Sequence, residues 1–485
     1  MSNLFNAVNA SGQTRTWNGM KTNTTSLNPT VDLFFKIGSA RGKFNTITSE
    51  LAQALTTEKD MAVRVLLWAR DIRQGAGERK TFRDAIDFIA ENEFLTADEA
   101  RRIMAKIPEL GRWDDLSAFV GTALESEALV MWVNAIKSGE GLAAKWAPRK
   151  GVLANKMRTI AEMSPKAYRK MLVRNTQVVE TQMCAKEWNA INFSHVPSMA
   201  ASRYQKAFGR NAPEAYAEYK KELVKPAADR DPKVKINANA IHPYNIVQAI
   251  RRGDATVANE QWKALPDYME GSTSAGILPL VDVSGSMGCP AGSGNSWYYG
   301  AHRSDFISCM DVAVSLGLYV AERNKGVFKD EFITFESRPK MMHLNGDLKA
   351  RVKMMEKAPW GGSTNVIAAF DLILDAAKKG NLPQEDMPST LLIMSDMQFN
   401  HCTIMDDSAL EALTRRFHAA GYERPNVVFW NINAAGNGVP TTVGTQGTAL
   451  VSGFSPSIMK SILHAEDFTP KGIMMKTIMD DRYSW

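Results

Sequence analysis

The hydrophobic pattern of this chain changes its period once, near residue 265, and the change restricts the fold to two unlike halves. From residue 28 to 265, apolar residues recur every three or four positions in segments such as DMAVRVLLWARDIR, which predicts amphipathic helices. In that segment we expect Val63, Leu66 and Leu67 on the buried face and Arg70 on the exposed face. Short connections predict antiparallel neighbours, either in a helical-repeat array or in an irregular helical domain, since no repeat period is visible.

Beyond residue 270, short apolar runs alternate with amphipathic helical segments. Such alternation is typical of βαβ units, so we predict a doubly wound, mostly parallel sheet with helices on both faces. The expected strands are 277–283, 330–335, 390–396 and 426–432. The predicted organisation of the chain is an N-terminal arm at 1–27, an all-helical domain at 28–265 and an α/β domain at 266–485.

The composition fits a protein that folds in water. Of 485 residues, 45% are hydrophobic and 23% are charged, and the net charge is +6. No apolar run of about eighteen residues predicts a membrane span, and the first residues lack the regions of a secretion signal. The four cysteines are far apart in the sequence, which argues against a disulfide framework or a zinc site and favours a cytoplasmic protein.

A set of oxygen-bearing side chains follows the predicted strands. Asp282 closes the first strand in LVDVSGSMG, and Ser284 and Ser286 follow it at a spacing of two. The loop PWGGSTNV offers Thr364, and Asp396 closes the strand in IMSDMQF. Ligands of open α/β sheets bind beyond the carboxyl ends of the strands, and hydroxyls with carboxylates suit a hard cation. We therefore predict a Mg²⁺ site with one position left for an outside ligand.

These five positions resemble the metal-ion-dependent adhesion site (MIDAS) of von Willebrand factor A domains, in residue type and in order. The resemblance implies a six-stranded doubly wound sheet with one antiparallel edge strand. It also implies that an acidic group of a protein partner completes the metal shell. A closed site, in which the hydroxyls only cap the loop, is the alternative.

The most unusual segment of the helical half is residues 142–174, where nine basic residues accompany a single acid, Glu162. Trp146 and Tyr168 lie within it, and residues 202–210 add further basic and aromatic residues. Cations that neutralise phosphates and rings that stack on bases are typical of single-stranded nucleic acid binding. The candidate RNA-binding residues are Lys145, Trp146, Arg149, Lys150, Lys156, Arg158, Arg169, Lys170, Arg174, Arg203, Tyr204 and Lys206. A solvated helical face, or a patch for an acidic protein, remains the alternative.

A helical array followed by such a sheet domain resembles the Ro (TROVE-module) RNA-binding proteins. Several stretches are closer to a poorly characterised relative, a domain of unknown function found in phages, bacteria and eukaryotes. The stretches are RDIRQGAGERKTFRDAI, AAKWAPRK, YRKMLVRNTQVVE, CAKEWNAINFSHVPSMAASRYQKAF and IHPYNIVQAI. The resemblance implies a HEAT-like helical domain whose basic lining binds single-stranded ends of misfolded RNAs or small structured non-coding RNAs. Two functions without RNA remain open, a protein-interaction scaffold and a subunit of an AAA+ machine.

No sequence motif predicts an enzyme. GAGERK lacks the spacing of a phosphate-binding loop, and GSGNS is not a nucleophile elbow on a strand–helix turn. Asp282 and Asp396 could serve a metal nuclease, but such sites usually use two metals and several carboxylates. We therefore predict a binding protein without catalytic residues.

Overall fold

The chain folds into a helical half followed by a half built around a six-stranded sheet. The structure is a computed structural model, and it describes residues 12–16, 18–251, 255–270, 276–291, 306–335, 338–358, 365–399, 409–434 and 438–485. A two-stranded ribbon, β1 (Gln13–Arg15) with β2 (Lys21–Asn23), precedes the first helix. Within the ranges just given, no helix combines the length and the apolar character needed to cross a membrane.

The helical half consists of short amphipathic helices joined by tight turns. They are α1 (Pro29–Ile37), α2 (Thr48–Thr57), α3 (Lys59–Arg70), α4 (Arg79–Glu91), α5 (Ala97–Leu110), α6 (Glu125–Lys137), α7 (Gly141–Trp146), α8 (Val152–Ile160), α9 (Pro165–Asn175), α10 (Val179–Cys184), α11 (Ser198–Arg203), α12 (Gln205–Asn211), α13 (Pro213–Leu223), α14 (Pro243–Arg251) and α15 (Ala255–Lys263). A 3-10 helix at Trp113–Phe119 lies between α5 and α6. The helical segments expected from the periodicity are therefore present.

Polar side chains set where several of these helices begin. The Thr96 hydroxyl accepts a hydrogen bond from the backbone N–H of Glu99, and the Glu99 carboxylate accepts one from the backbone of Thr96. This capping box satisfies two amides that have no partner inside α5. Asn28 caps α1 in a similar way, since its side-chain oxygen accepts from two first-turn amides.

Helix α3 shows where the periodicity misleads. Val63, Leu66 and Leu67 are buried, as expected. The expectation for Arg70 is wrong, because this side chain is 1% exposed and its Nε donates to the carboxylate of Asp115 at 2.7 Å. An arginine inside a helical pattern can be buried when a carboxylate from another segment meets it.

The second half is a doubly wound sheet with strand order β5-β4-β3-β6-β7-β8. Its strands are β3 (Ile277–Asp282), β4 (Glu331–Phe335), β5 (Met341–His343), β6 (Thr390–Ser395), β7 (Asn426–Asn431) and β8 (Thr448–Ser452). Its helices are α16 (Cys309–Arg323), α17 (Leu348–Glu356), α18 (Val366–Gly380), α19 (Ala409–Ala419), α20 (Met459–Leu463) and α21 (Pro470–Ile478). Among the described strands of this sheet, only β5, at one edge, pairs antiparallel with its neighbour, which confirms the expected six-stranded, mostly parallel sheet.

The two halves pack against each other through α1 and the end of the chain. The Ser452 hydroxyl at the end of β8 donates to the carbonyl of Phe34 at 2.7 Å and accepts from the amide of Gly38 at 3.0 Å. Tyr483, near the C-terminus, donates its hydroxyl hydrogen to Asp71 at 3.1 Å. Residues of both halves share one hydrophobic core, and the division at residue 265 stays a prediction.

Candidate metal and nucleic-acid sites

The carboxyl ends of β3 and β6 bring two buried aspartates to the same edge of the sheet. The strands are parallel neighbours with Val281 opposite Met394, so Asp282 at the end of β3 lies beside the residues that end β6. Asp396 directly follows β6. Both aspartates are 0% exposed. The parallel register therefore joins two of the five predicted ligands.

Hydrogen bonds hold Asp282 and the loop that follows it. The backbone N–H of Ser284 donates to Asp282 Oδ1 at 2.9 Å, and the Ser395 hydroxyl donates to Oδ2 at 2.6 Å. The hydroxyl oxygens of Ser284 and Ser286 lie 3.1 Å apart. Sequence reasoning missed Ser395, although it directly precedes Asp396 at the end of the strand. We call Asp282, Ser284, Ser286 and Asp396 the oxygen site.

The oxygen site places two buried carboxylates close to each other. Burial, and after it the charge of Asp396, raises the pKa of Asp282 to about 7. Burial also raises the pKa of Asp396, against a smaller opposite effect of the Ser286 hydroxyl. Asp396 Oδ1 accepts from the backbone N–H of Gln398 at 3.2 Å, whereas Oδ2 is buried without a hydrogen-bond partner among the described residues. A bound cation would therefore offset two buried negative charges.

The donor types at the oxygen site fit Mg²⁺, which prefers carboxylate, hydroxyl and water oxygens. The fifth predicted ligand, Thr364, lies outside the described residues. Across the described ranges, no group of three or more His, Cys, Asp or Glu side chains could hold a metal ion. A cation at this edge of the sheet would therefore depend on two aspartates, hydroxyls and water.

The helical half carries a group of exposed cations. These side chains have no carboxylate partner in the part of the chain that the structure describes, and we call them the basic surface: Arg149, Lys150, Lys166, Arg169, Lys170 and Arg174. The last four lie on α9 at helical spacings of three and four, so they share one face of the helix. With the exposed Val173 they line a shallow depression of about 400 Å³.

Other predicted basic residues are engaged within the protein. Lys145 Nζ lies 3.0 Å from Glu180 Oε1, and Lys156 forms an ion pair with Glu125. The hydroxyl of Tyr204 donates to the same Glu180 oxygen at 3.3 Å. Glu180 therefore brings residues 202–210 beside the segment at 142–174.

Three further candidates differ in accessibility. Arg203 and Lys206 are exposed near Tyr204. Arg158 is partly buried, and its Nε has no hydrogen-bond partner among the described residues. The first two can meet a ligand directly, whereas Arg158 presents only part of its side chain to solvent.

The aromatic residues of this region are less available than the sequence suggests. Tyr168 is 2% exposed and Phe208 is 1% exposed, so neither ring can stack on a base. Trp146 is half-buried, and the guanidinium of Arg112 lies 3.3 Å from the centroid of its ring. Sequence reasoning missed Arg112, whose only signal is the cluster of charges in GRWDD.

Two families match separate parts of the chain, and both are described only as domains of unknown function. Residues 16–131 and 153–274 match the Domain of unknown function (DUF2828). Residues 277–482 match the Domain of unknown function (DUF7788). The change from one family to the other falls between the helical half and β3.

A viral protein and a solved bacterial structure each resemble most of the chain. Uncharacterized protein L728 of Acanthamoeba polyphaga mimivirus is 29% identical over 96% of this chain and 86% of the viral protein. The crystal structure of the Deinococcus radiodurans RO (RSR) protein matches with a TM-score of 0.51 and 14% identity, over 94% of this chain and 100% of that one. The second likeness shows a shared Ro-like fold, with a helical part and a six-stranded sheet.

Proposed function

We propose that this protein binds RNA on the basic surface of its helical half, taking single-stranded ends of misfolded RNAs or small structured non-coding RNAs. The observation that carries the proposal is a group of six exposed cations, four of them on one face of α9, for which the described residues supply no carboxylate. Such a group attracts phosphates, and the release of condensed counterions favours binding. The Ro-like fold supports it, because the sequence resemblance to Ro proteins implies RNA as the ligand.

The other candidate residues flank the basic surface in this proposal. Arg203 and Lys206 extend the positive charge toward α12. Lys145 and Lys156 contribute less, because Glu180 and Glu125 already offset their charge. Tyr204 and Trp146 present only part of their rings, so stacking adds less than phosphate binding.

Filter binding of a single-stranded RNA across a salt series tests the proposal. The logarithm of the binding constant should fall linearly with the logarithm of salt, by about 0.7 for each phosphate contact. A variant with both Arg169→Gln and Lys170→Gln should lower that slope by up to about 1.4, because two exposed contacts are lost. The matched control changes Lys378 and Lys379 to glutamine, two exposed lysines at the end of α18 in the sheet half.

The control variant should keep the wild-type slope. Equal slopes for wild type and the α9 variant would remove the basic surface from the proposal. If wild-type protein binds RNA no better than a neutral protein at low salt, the chain functions without RNA, as a scaffold or a subunit of an AAA+ machine.

The proposal assigns a second partner to the sheet half. Mg²⁺ held by Asp282, Ser284, Ser286 and Asp396, with Thr364, would present an open position to an acidic group of a protein ligand. A bound Mg²⁺ would accept a carboxylate oxygen of the ligand into its coordination shell. The hydroxyls and the two buried aspartates orient that position, and we propose binding rather than catalysis here.

A further inference from the structure

Buried charges gather where α3, α4 and the 3-10 helix meet. Asp115 is 0% exposed, and its Oδ2 accepts from Arg70 Nε at 2.7 Å and from the backbone N–H of Arg112 at 2.9 Å. Its Oδ1 accepts from Arg83 Nε at 2.8 Å. The neighbouring Asp114 receives the guanidinium of Arg112 through two hydrogen bonds, at 2.8 and 2.9 Å.

A fourth arginine leaves this group with more positive than negative charge. Arg79, in the first turn of α4, is exposed and has no carboxylate partner in the described ranges. Arg79 precedes Arg83 by four residues, so both lie on one face of α4. Arg83 Nη2 lies 3.0 Å from Asp114 Oδ2, the oxygen that also accepts from Arg112. We call Arg70, Arg79, Arg83 and Arg112, with the two aspartates, the arginine cluster. Four arginines against two aspartates give the cluster a net charge of +2, and Arg79 is its one member without a carboxylate partner among the described residues.

The excess charge faces solvent beside the basic surface. Side chains of Arg83 and Arg112 are 26% and 24% exposed, and Arg79 is more exposed still. The guanidinium of Arg112 covers one face of Trp146, while Lys145 Nζ lies 5.3 Å from the centroid of the same ring. The chain then continues from Trp146 directly into the basic surface.

We infer that Arg79 and Arg112 bind a phosphate of the RNA backbone, so that the strand runs from the basic surface across Trp146 to the arginine cluster. The inference rests on the proposed function. A guanidinium matches phosphate oxygens with paired donors, and its planar face also stacks on aromatic rings and bases. Asp114 and Asp115 hold Arg112 and Arg83 in place, so little side-chain freedom is lost on binding.

Salt-dependent RNA binding of single arginine variants tests this site. Arg79→Gln should lower the slope of the log–log plot by about 0.7, the loss of one phosphate contact. Arg112→Gln should lower the slope by less, because Asp114 already offsets part of the Arg112 charge. The melting temperature of this variant is measured alongside, because Arg112 holds Asp114. The control is Arg101→Gln, since Arg101 is an exposed arginine of the same half whose charge Glu127 and Asp98 already offset.

The outcomes separate this inference from the proposal on which it rests. Arg79 has no partner within the described chain, so Arg79→Gln decides the matter even where Arg112→Gln unfolds. RNA binding with an unchanged slope for Arg79→Gln overturns the arginine site and leaves the basic surface intact. Absence of wild-type RNA binding overturns both. If Arg79→Gln weakens the binding of a polyglutamate peptide but not that of RNA, the arginine cluster binds an acidic protein instead.

Discussion

Asp115 in the helical half and Asp282 in the sheet half are equally buried, but their surroundings are opposite. Arg70 and Arg83 both donate to the Asp115 carboxylate. Asp282 receives hydrogen bonds from a backbone amide and a hydroxyl, and no lysine or arginine among the described residues pairs with it. The charge of another buried aspartate, Asp396, raises the pKa of Asp282 further, after the larger effect of burial.

The difference in surroundings indicates a different role for each aspartate. A buried carboxylate is costly unless a cation or several hydrogen bonds offset its charge. In the helical half, Arg70 and Arg83 offset the charge of Asp115, so Asp115 stabilises the fold and holds arginines at the surface. In the sheet half, no described lysine or arginine offsets the charge of Asp282, which favours binding of a cation from solution.

The largest expected effect is the loss of stability when the buried carboxylate of the helical half is removed. Asp115→Asn leaves Arg70 buried without its carboxylate, and we expect a loss of about 3–5 kcal/mol in the free energy of unfolding. Urea denaturation in the presence of a chelator measures it. Asp396→Asn, measured under the same conditions, should cost little or stabilise the protein, because it removes one of two repelling charges. Equal losses for both variants would contradict the distinction.

The second prediction concerns the stabilisation of the protein by Mg²⁺ at the oxygen site of the sheet half. Mg²⁺ at a hundred times its dissociation constant should raise the free energy of unfolding of the wild type by about 2.7 kcal/mol. Asp282→Asn should lose this gain, because a neutral amide is a poorer ligand for a hard cation. Calorimetric titration checks the loss of the site directly. Asp386→Asn, an exposed aspartate of the same half, should respond to Mg²⁺ as the wild type does. Equal heats in wild type and Asp282→Asn would mean a closed site.

The sequence allowed prediction of most of the fold because its signals are local. Strands β3 and β6 are buried along their whole length, so they read as continuous apolar runs. Two strands gave no such signal. The short edge strand β5 is partly exposed. Strand β8 follows residues 438–447, which are rich in glycine and threonine and contain no regular helix.

The candidate sites depended on contacts that the sequence hides. The order of Asp282 and Asp396 along parallel strands predicted their meeting, because strand register is regular. The partnership of Arg70 with Asp115 joins segments 45 residues apart. No local pattern separates such an arginine from an exposed one, which is why Arg70 was misplaced and Arg112 was missed.

A third group, the half-buried His242, avoids the cost of an unpaired charge by remaining neutral. Burial, and then the charge of Arg41, lowers the pKa of His242 to about 4. The unfolded histidine, with a pKa near 6.5, takes up a proton first as the pH falls, so stability is lost between pH 6.5 and 4. We expect a loss of at most about 1.4 kcal/mol at pH 5.5 relative to pH 7.5.

Urea denaturation at pH 7.5 and 5.5 measures this loss as a difference between variants. Between pH 7.5 and 5.5, the free energy of unfolding of His242→Gln should fall by up to about 1.4 kcal/mol less than that of the wild type. His418→Gln, which changes an exposed histidine, should keep the wild-type difference. A His242→Gln protein with unchanged pH dependence would show that this histidine is protonated in the fold.

The smallest expected effect tests whether burial, rather than pairing, makes Asp115 important. Arg416 and Asp371 form a close ion pair at 2.6 Å, but their side chains are 46% and 39% exposed. Water solvates both charges when the pair opens, so Arg416→Gln should cost at most about 1 kcal/mol. Salt at about 1 M should erase that cost by screening, whereas the loss from Asp115→Asn should persist. If Arg416→Gln were as destabilising as Asp115→Asn, ion pairing rather than burial would be the source of the stability. The burial of Asp282 without a cationic side chain would then no longer support a cation-binding site.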